Sequence, residues 1–300
     1  METYGGEKKA ELVMARQGAK AKKAMKKWGP LMKYLGEKNS LSTYLMIEKD
    51  PSKLIKSIKN KEVDLIIDTF YQFIVLDTEQ NFNFRMNMWR KGVQNYSGCL
   101  VSAKENKISI NDLEGKKIVF EDPYSTGSFA LPMTELSKNG YLDKLYYKNG
   151  TNLKKSTNAK TAREAIANHK VEKGKVFYTF SNDDSTSYLW LKKGYIDVVG
   201  ASCKILKEHP DLRLVAKSVA IPRAIVATHK EMKSDLEKSI ISNLLELKEQ
   251  DKIMQACGRC KKASILSAEE LQLIDNLRPV LSNIYLKSKN DMKQEMKLTH

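Results

Sequence analysis

Short apolar runs alternate along the chain with stretches in which apolar residues recur every three or four positions, the pattern of strands alternating with helices. "AELVMAR", "STYLMIE" and "VDLIID" read as strands. Between them, "KAMKKWGPLMKYLGEK" reads as a helix interrupted at Gly29 and Pro30, and "DPSKLIKSIKNK" as a helix capped by Asp50 with Pro51 at its first position. The spacing therefore predicts two successive βαβ units. "TFYQFIVLDTEQ" reads as a short helix, and "NYSGCLVSAK" as a strand leading out of this first region. A second α/β series follows, with strands at "KKIVF", "GKVFYTFS" and "YIDVVGAS" and helices at "PMTELSKNGYLD", "AKTAREAIANHK" and "STSYLWLKKG". From about residue 203 come "LRLVAKS", "AIVATHKEM" and two closing helices, "SDLEKSIISNLLELKEQDKI" and "SAEELQLIDNLRPVLSNIYLK". The end, "SKNDMKQEMKLTH", is polar and is expected to fray.

Composition sets limits on this picture. The chain has 300 residues, enough for one large core or two moderate ones, and 41% hydrophobic with 29% charged residues is ordinary for a soluble protein. No apolar run reaches the roughly 18 to 20 residues that span a bilayer. The opening "METYGGEKKAELVMARQG" lacks the apolar centre of an export signal, so the chain is expected to be cytoplasmic or trimmed of such a signal. A net charge of +16 suits an anionic partner, but the lysines are spread along the chain and mixed with acids, so nucleic acid is not expected. The one dense run, "KAKKAMKKW" at residues 20 to 28, reads as a solvated helix face.

The segment "FEDPYSTGSFALP" carries more chemistry. Ser125, Thr126 and Ser128 surround Gly127 between a strand and a helix. The first turn of a helix has unpaired N–H groups and a partial positive charge, so hydroxyls there suit an anion; Ser and Thr are equally the usual helix caps. Both readings stand on the segment alone. The four cysteines are Cys99, Cys203, Cys257 and Cys260. No second C-x-x-C and no nearby histidine completes a metal site around "ACGRCKK", which reads as a local disulfide or as idle thiols. His169, His209 and His229 lack metal-ligand spacing, so neither metal nor cofactor is expected.

Three segments in fixed order, "VDLIID", "DLEGKKIVFEDPYSTGS" and "GYIDVVGASCKIL" with the later "LRLVAKSVAIPRAIVATHKEM", resemble the periplasmic substrate-binding proteins of phosphonate, phosphite and phosphate ABC importers. The resemblance covers roughly residues 10 to 285. It implies the two-lobed type II periplasmic-binding-protein fold: two Rossmann-like α/β lobes joined by two hinge strands, with ligand in the cleft between them. The hinge strands are placed near Tyr96 to Val101 and Val198 to Ser202. Lobe one is then residues 1–97 and 202–285, lobe two 98–201, and 286–300 a polar tail.

On this resemblance Ser125, Thr126, Gly127 and Ser128 form an anion cradle, and Tyr96 stands where the family sets an aromatic against its ligand. Thr69 and Tyr71 begin a helix whose N-terminus is expected to face the ligand. Three positions depart from the family pattern: Pro51 replaces an aromatic at the start of the second helix, Gly127 replaces a third hydroxyl, and Asp184 falls where a pocket histidine is common. Cys99 and Cys203, at the two expected hinges, are small hydrophobes or, because arsenite-sensing relatives use a cleft cysteine, soft ligands for arsenic(III). The function implied is non-enzymatic capture of a small phosphorus oxyanion for the membrane subunits of an ABC importer, by a monomer in the periplasm or tethered to the membrane. A ligand sensor for a histidine kinase is the alternative, and a thiol enzyme ranks last for want of a histidine base.

Overall fold

The computed structural model describes residues 11–18, 21–157 and 159–297. The opening residues, read as lacking an export signal, lie outside this range, as do Ala10, Lys20 and residues 298–300 of the expected tail. Two compact units emerge. One holds the chain up to Asn95 together with Ile221–Asp275; the other holds Tyr96–Ala220 and the chain from Asn276.

In the first unit β1 (Leu12–Gln17), β2 (Thr43–Glu48) and β3 (Leu65–Asp68) lie parallel, with α1 (Ala21–Asn39) and α2 (Pro51–Lys59) as crossovers and α3 (Phe70–Leu76) after β3. β1 and β3 are almost continuous apolar runs because helices cover both faces of a parallel sheet. α1 does not break at Gly29 and Pro30. Trp28, Leu31, Met32 and Leu35 share one buried face, and that packing outweighs the hydrogen bond proline removes. β4 (Phe82–Met88), unread in the sequence, alternates buried Met86 and Met88 with polar neighbours.

The second unit takes β5 (Asn95–Tyr96) from its second residue, then β6 (Gly98–Ala103), β7 (Lys117–Phe120), α4 (Leu131–Lys138), β8 (Leu145–Tyr147), α5 (Gly150–Lys155), α6 (Ala162–Asn168), β9 (Val176–Phe180), α7 (Asp184–Lys192), β10 (Val198–Ser202), α8 (Ile205–Glu208) and β11 (Leu212–Lys217). Its sheet order is β11-β6-β10-β7-β9-β8; β7 to β10 are parallel and β6 is antiparallel to its neighbours. β10 is thus an interior strand. Because β11 pairs with β6, residues 202–220 belong to this unit, and the chain returns at Ala220/Ile221 rather than near Val198–Ser202 as the sequence suggested.

β12 (Ile221–Pro222), β13 (Ile225–His229), α9 (Ser234–Glu246), α10 (Lys252–Ala256) and β14 (Ala263–Ile265) then complete the first unit, with sheet order β14-β4-β13-β3-β1-β2. The last helix, α11, runs Ala268–Lys297, so the expected frayed tail is helical through Lys297. Its later turns are anchored on the second unit. Tyr178 Oη donates to Asp291 at 2.7 Å, and buried Glu295 accepts from Lys148 Nζ, the Asn149 N–H and Asn152 Nδ2, each at 3.2 Å. In each unit the parallel strands end on one edge, where doubly wound folds place ligands.

Candidate functional site

On the second unit that edge is built by the residues after β7, β9 and β10. A single π-type turn over Thr126–Ala130 leads into α4, with Ser125 as N-cap. The Ser125 hydroxyl oxygen accepts from the Ser128 N–H at 3.2 Å, and its carbonyl accepts from the N–H groups of Phe129 and Ala130. Capping and the cradle geometry therefore coexist in one residue. The turn is pressed against the sheet through two glycines. A Cβ on Gly98 would lie 2.5 Å from Pro132 Cδ and 2.8 Å from the Gly127 carbonyl; one on Gly200 would lie 2.3 Å from Phe120 Cδ1 and 2.7 Å from the Ser128 carbonyl. Gly127 itself lies under the Tyr96 ring, where an added Cβ would stand 3.2 Å from Cε2. A third hydroxyl residue at 127 would crowd that ring, which gives the departure at this position a steric reason.

Carboxylates already occupy the cradle hydroxyls. Ser128 Oγ donates to Asp184 Oδ1 at 2.9 Å, and Ser125 Oγ donates to Glu121 Oε2 at 2.9 Å. Asp184 opens α7, held there by the Asp183 cap, whose Oδ1 accepts from the Thr186 N–H. Asp122 turns inward and accepts from the Tyr124 N–H at 2.7 Å. Burial, reinforced by the Asp184 charge, raises Glu121 above its ordinary pKa; burial also raises Asp122. This edge combines hydroxyl donors with three carboxylates, so it suits an acceptor that also brings a proton or other donor.

The remaining sequence candidates divide. Thr69 caps α3 with its N–H donating to Asp68 Oδ1 at 2.8 Å, so it sits at the carboxyl edge of the first unit's sheet. Tyr71 is fully buried in the core of that unit, because α3 is predominantly apolar. Cys99 and Cys203 are joined as a disulfide with Cα atoms 5.0 Å apart. A sulfur bonded to sulfur offers no thiolate, so the disulfide form has no soft ligand for arsenic(III) here. Cys257 and Cys260 are also paired.

Sequence reasoning missed a cationic group on the first unit. Arg16 ends β1, Asp68 ends β3, and Arg90 follows β4, so strand order brings them to one edge. Arg16 pairs with Asp68 at 2.8 Å and donates to the Ile67 carbonyl. Its guanidinium lies 4.6 Å from the centroid of buried Trp28; Lys27 Nζ and the Arg90 guanidinium lie 5.3 and 5.9 Å from the same ring. Burial first, then the charges of Arg90 and Arg16, lowers Lys27 to about 7. The available signal was the tryptophan inside the lysine-rich run.

A family model for the periplasmic substrate-binding protein of phosphonate ABC transporters matches residues 19–270. The chain belongs to this family. Its members are binding proteins of importers, not enzymes. Among solved structures of similar fold, XAC2383 from Xanthomonas citri, bound to ATP, superposes with a TM-score of 0.76 at 16% identity, covering 91% of this chain and 97% of that one. PhnD1 from Prochlorococcus marinus, in complex with methylphosphonate, gives 0.60 at 13% identity, with 91% and 98% covered. A binding-protein component of an ABC phosphonate transporter from Pseudomonas aeruginosa gives 0.54 at 14%, with 96% of each chain covered. At these identities the neighbours establish the two-lobed fold.

Proposed function

We propose that this protein captures a small phosphorus oxyanion, a phosphonate, phosphite or phosphate, at Ser125–Ser128 and delivers it to an ABC importer, selecting ligands that bring a proton beside the bound oxygen. Family membership supports the transport role, and the Ser128–Asp184 bond carries the selectivity. An oxyanion bound within about 4 Å of Asp184 would meet roughly 4 kcal/mol of repulsion at an effective dielectric near 20. A hydrogenphosphonate-type monoanion replaces that repulsion with a hydrogen bond from its own hydroxyl. Two disulfides are in keeping with an oxidising, extracytoplasmic compartment.

Calorimetric titration with methylphosphonate, phosphite and phosphate is the test, comparing the wild type with Thr126→Ala. Losing a hydroxyl donor to a charged ligand is expected to weaken binding by about 1.5 to 3 kcal/mol, roughly ten- to a hundredfold. Equal dissociation constants, or no binding of any of the three, would overturn the reading.

A further inference from the structure

We propose that Arg16, Lys27 and Arg90 form a binding site for a doubly charged tetrahedral oxyanion on the first unit, separate from the hydroxyl cradle of the second. Three cations gather round Trp28, and among the described residues Asp68 is the carboxylate that acts on them, engaged by Arg16 at 2.8 Å. Among the described residues Lys27 and Arg90 have no carboxylate partner, and Arg90 Nε is buried without a hydrogen-bond acceptor. Desolvated cations without partners are costly, and a divalent anion would offset the excess charge.

The surroundings fix the donors of such a site. Gly258, with φ +112°, turns the C-x-x-C loop beside both cations: a Cβ there would stand 3.1 Å from Lys27 Nζ and 3.8 Å from Arg90 Nε. The Cys257–Cys260 pair closes this loop, and the Lys91 N–H donates to the Gly258 carbonyl at 3.1 Å, tying it to the turn that carries Arg90. Trp28 is buried, so its ring positions cations and is not a platform for a ligand ring. The donors are all ammonium and guanidinium groups at the carboxyl edge of β1, β3 and β4. Such a site needs no proton from its ligand and so accepts sulfate, which the carboxylate-lined cradle rejects.

Charge linkage adds a signature. The groups acting on Lys27 are Arg16 from β1, Asp68 from β3, and Arg90 with Lys91 from the turn after β4, and the cations outnumber the acid. With its pKa near 7, Lys27 is partly neutral at neutral pH, and a bound dianion would restore its proton. Binding should therefore take up protons and weaken as pH rises above about 7.

The experiment is isothermal titration of the full chain with sulfate and with inorganic phosphate, at about pH 6 and about pH 8.5, bracketing the Lys27 pKa. Lys27→Met keeps the aliphatic stem against Trp28, and Arg90→Leu removes the second unpartnered cation; thermal unfolding verifies that each is folded. Sulfate should bind the wild type, weaken about tenfold or more in either variant, and recover in Lys27→Arg. Thr126→Ala should leave sulfate binding unchanged, so failure of the cradle reading and failure of this one are separable. The pH dependence should vanish in Lys27→Met. No sulfate or phosphate binding by the wild type, or binding unmoved by both Lys27→Met and Arg90→Leu, would overturn the proposal.

Discussion

The Cys99–Cys203 bond closes a loop with a sequence separation of 104, and that loop lies wholly within the second unit. Cross-linking so long a segment removes chain entropy from the unfolded state, worth about 4.7 kcal/mol for a loop of about 100 residues. Residual structure in the unfolded chain lowers that figure, so about 3 to 5 kcal/mol is expected for the second unit. At roughly 2 to 4 °C per kcal/mol for a unit of this size, its melting transition should fall by the order of 10 °C. Differential scanning calorimetry of the wild type with and without a thiol reductant reads the loss of both cross-links without changing any side-chain volume. The double variant Cys99→Ala, Cys203→Ala adds a small cavity cost. The internal control is Cys257→Ala with Cys260→Ala, whose sulfurs are separated by only three residues and belong to the first unit. It should leave the second unit's transition in place. A loss below about 1 kcal/mol on reduction would refute the entropy argument.

Asp184→Asn offers an amide donor where the wild type offers a charge, so it should create sulfate affinity at the cradle that a further Thr126→Ala removes; calorimetry showing no such gain would place Asp184 outside the site. Glu121 gives a pH dependence. Its folded pKa is raised, chiefly by burial, so the native state holds the proton more tightly, and stability falls as pH climbs from the unfolded carboxylate range through the folded pKa. Glu121→Gln should therefore be more stable than wild type at neutral pH and equal to it in acid below both pKa values, as urea melts across pH would show; a constant difference at every pH would exclude titration as the cause.

The alternation of apolar runs with helical spacing was enough to read the α/β class, the crossovers through α1 and α2, and the strand-turn-helix at Ser125–Ser128. Hydroxyls flanking a glycine after an apolar strand mark the start of a helix, so that turn was legible locally while its use as cap or cradle was not. The partners of those hydroxyls were less so: Glu121 is four residues from Ser125, but Asp184 reaches Ser128 only because β7 and β9 lie side by side. The cationic edge was illegible for the same reason. Arg16 looked like the end of a strand and Lys27 like one lysine of a solvated face, while Arg90 carried no signal of its own; strand order brings the two arginines to the helix that holds Lys27 and Trp28. The return of the chain after β11 was misplaced because nothing in "LRLVAKS" reveals that it pairs with β6. The burial of Tyr71 was not legible from its place at a helix start, because an apolar helix packs its side chains inward whatever its cap faces.

The anchoring of Glu295 bears on how the protein can be handled. A chain shortened at residue 286, where the sequence turns polar and looks dispensable, would strip the acceptor from Lys148, Asn149 and Asn152 and the partner from the Tyr178 hydroxyl. Those contacts brace β9 and the segment before α5, and β9 in turn adjoins the strand that carries the hydroxyl turn. Dyes, affinity handles or surface linkers therefore belong clear of Asp291 and Glu295, and trimming that removes either residue costs the second unit contacts that its polar sequence does not advertise.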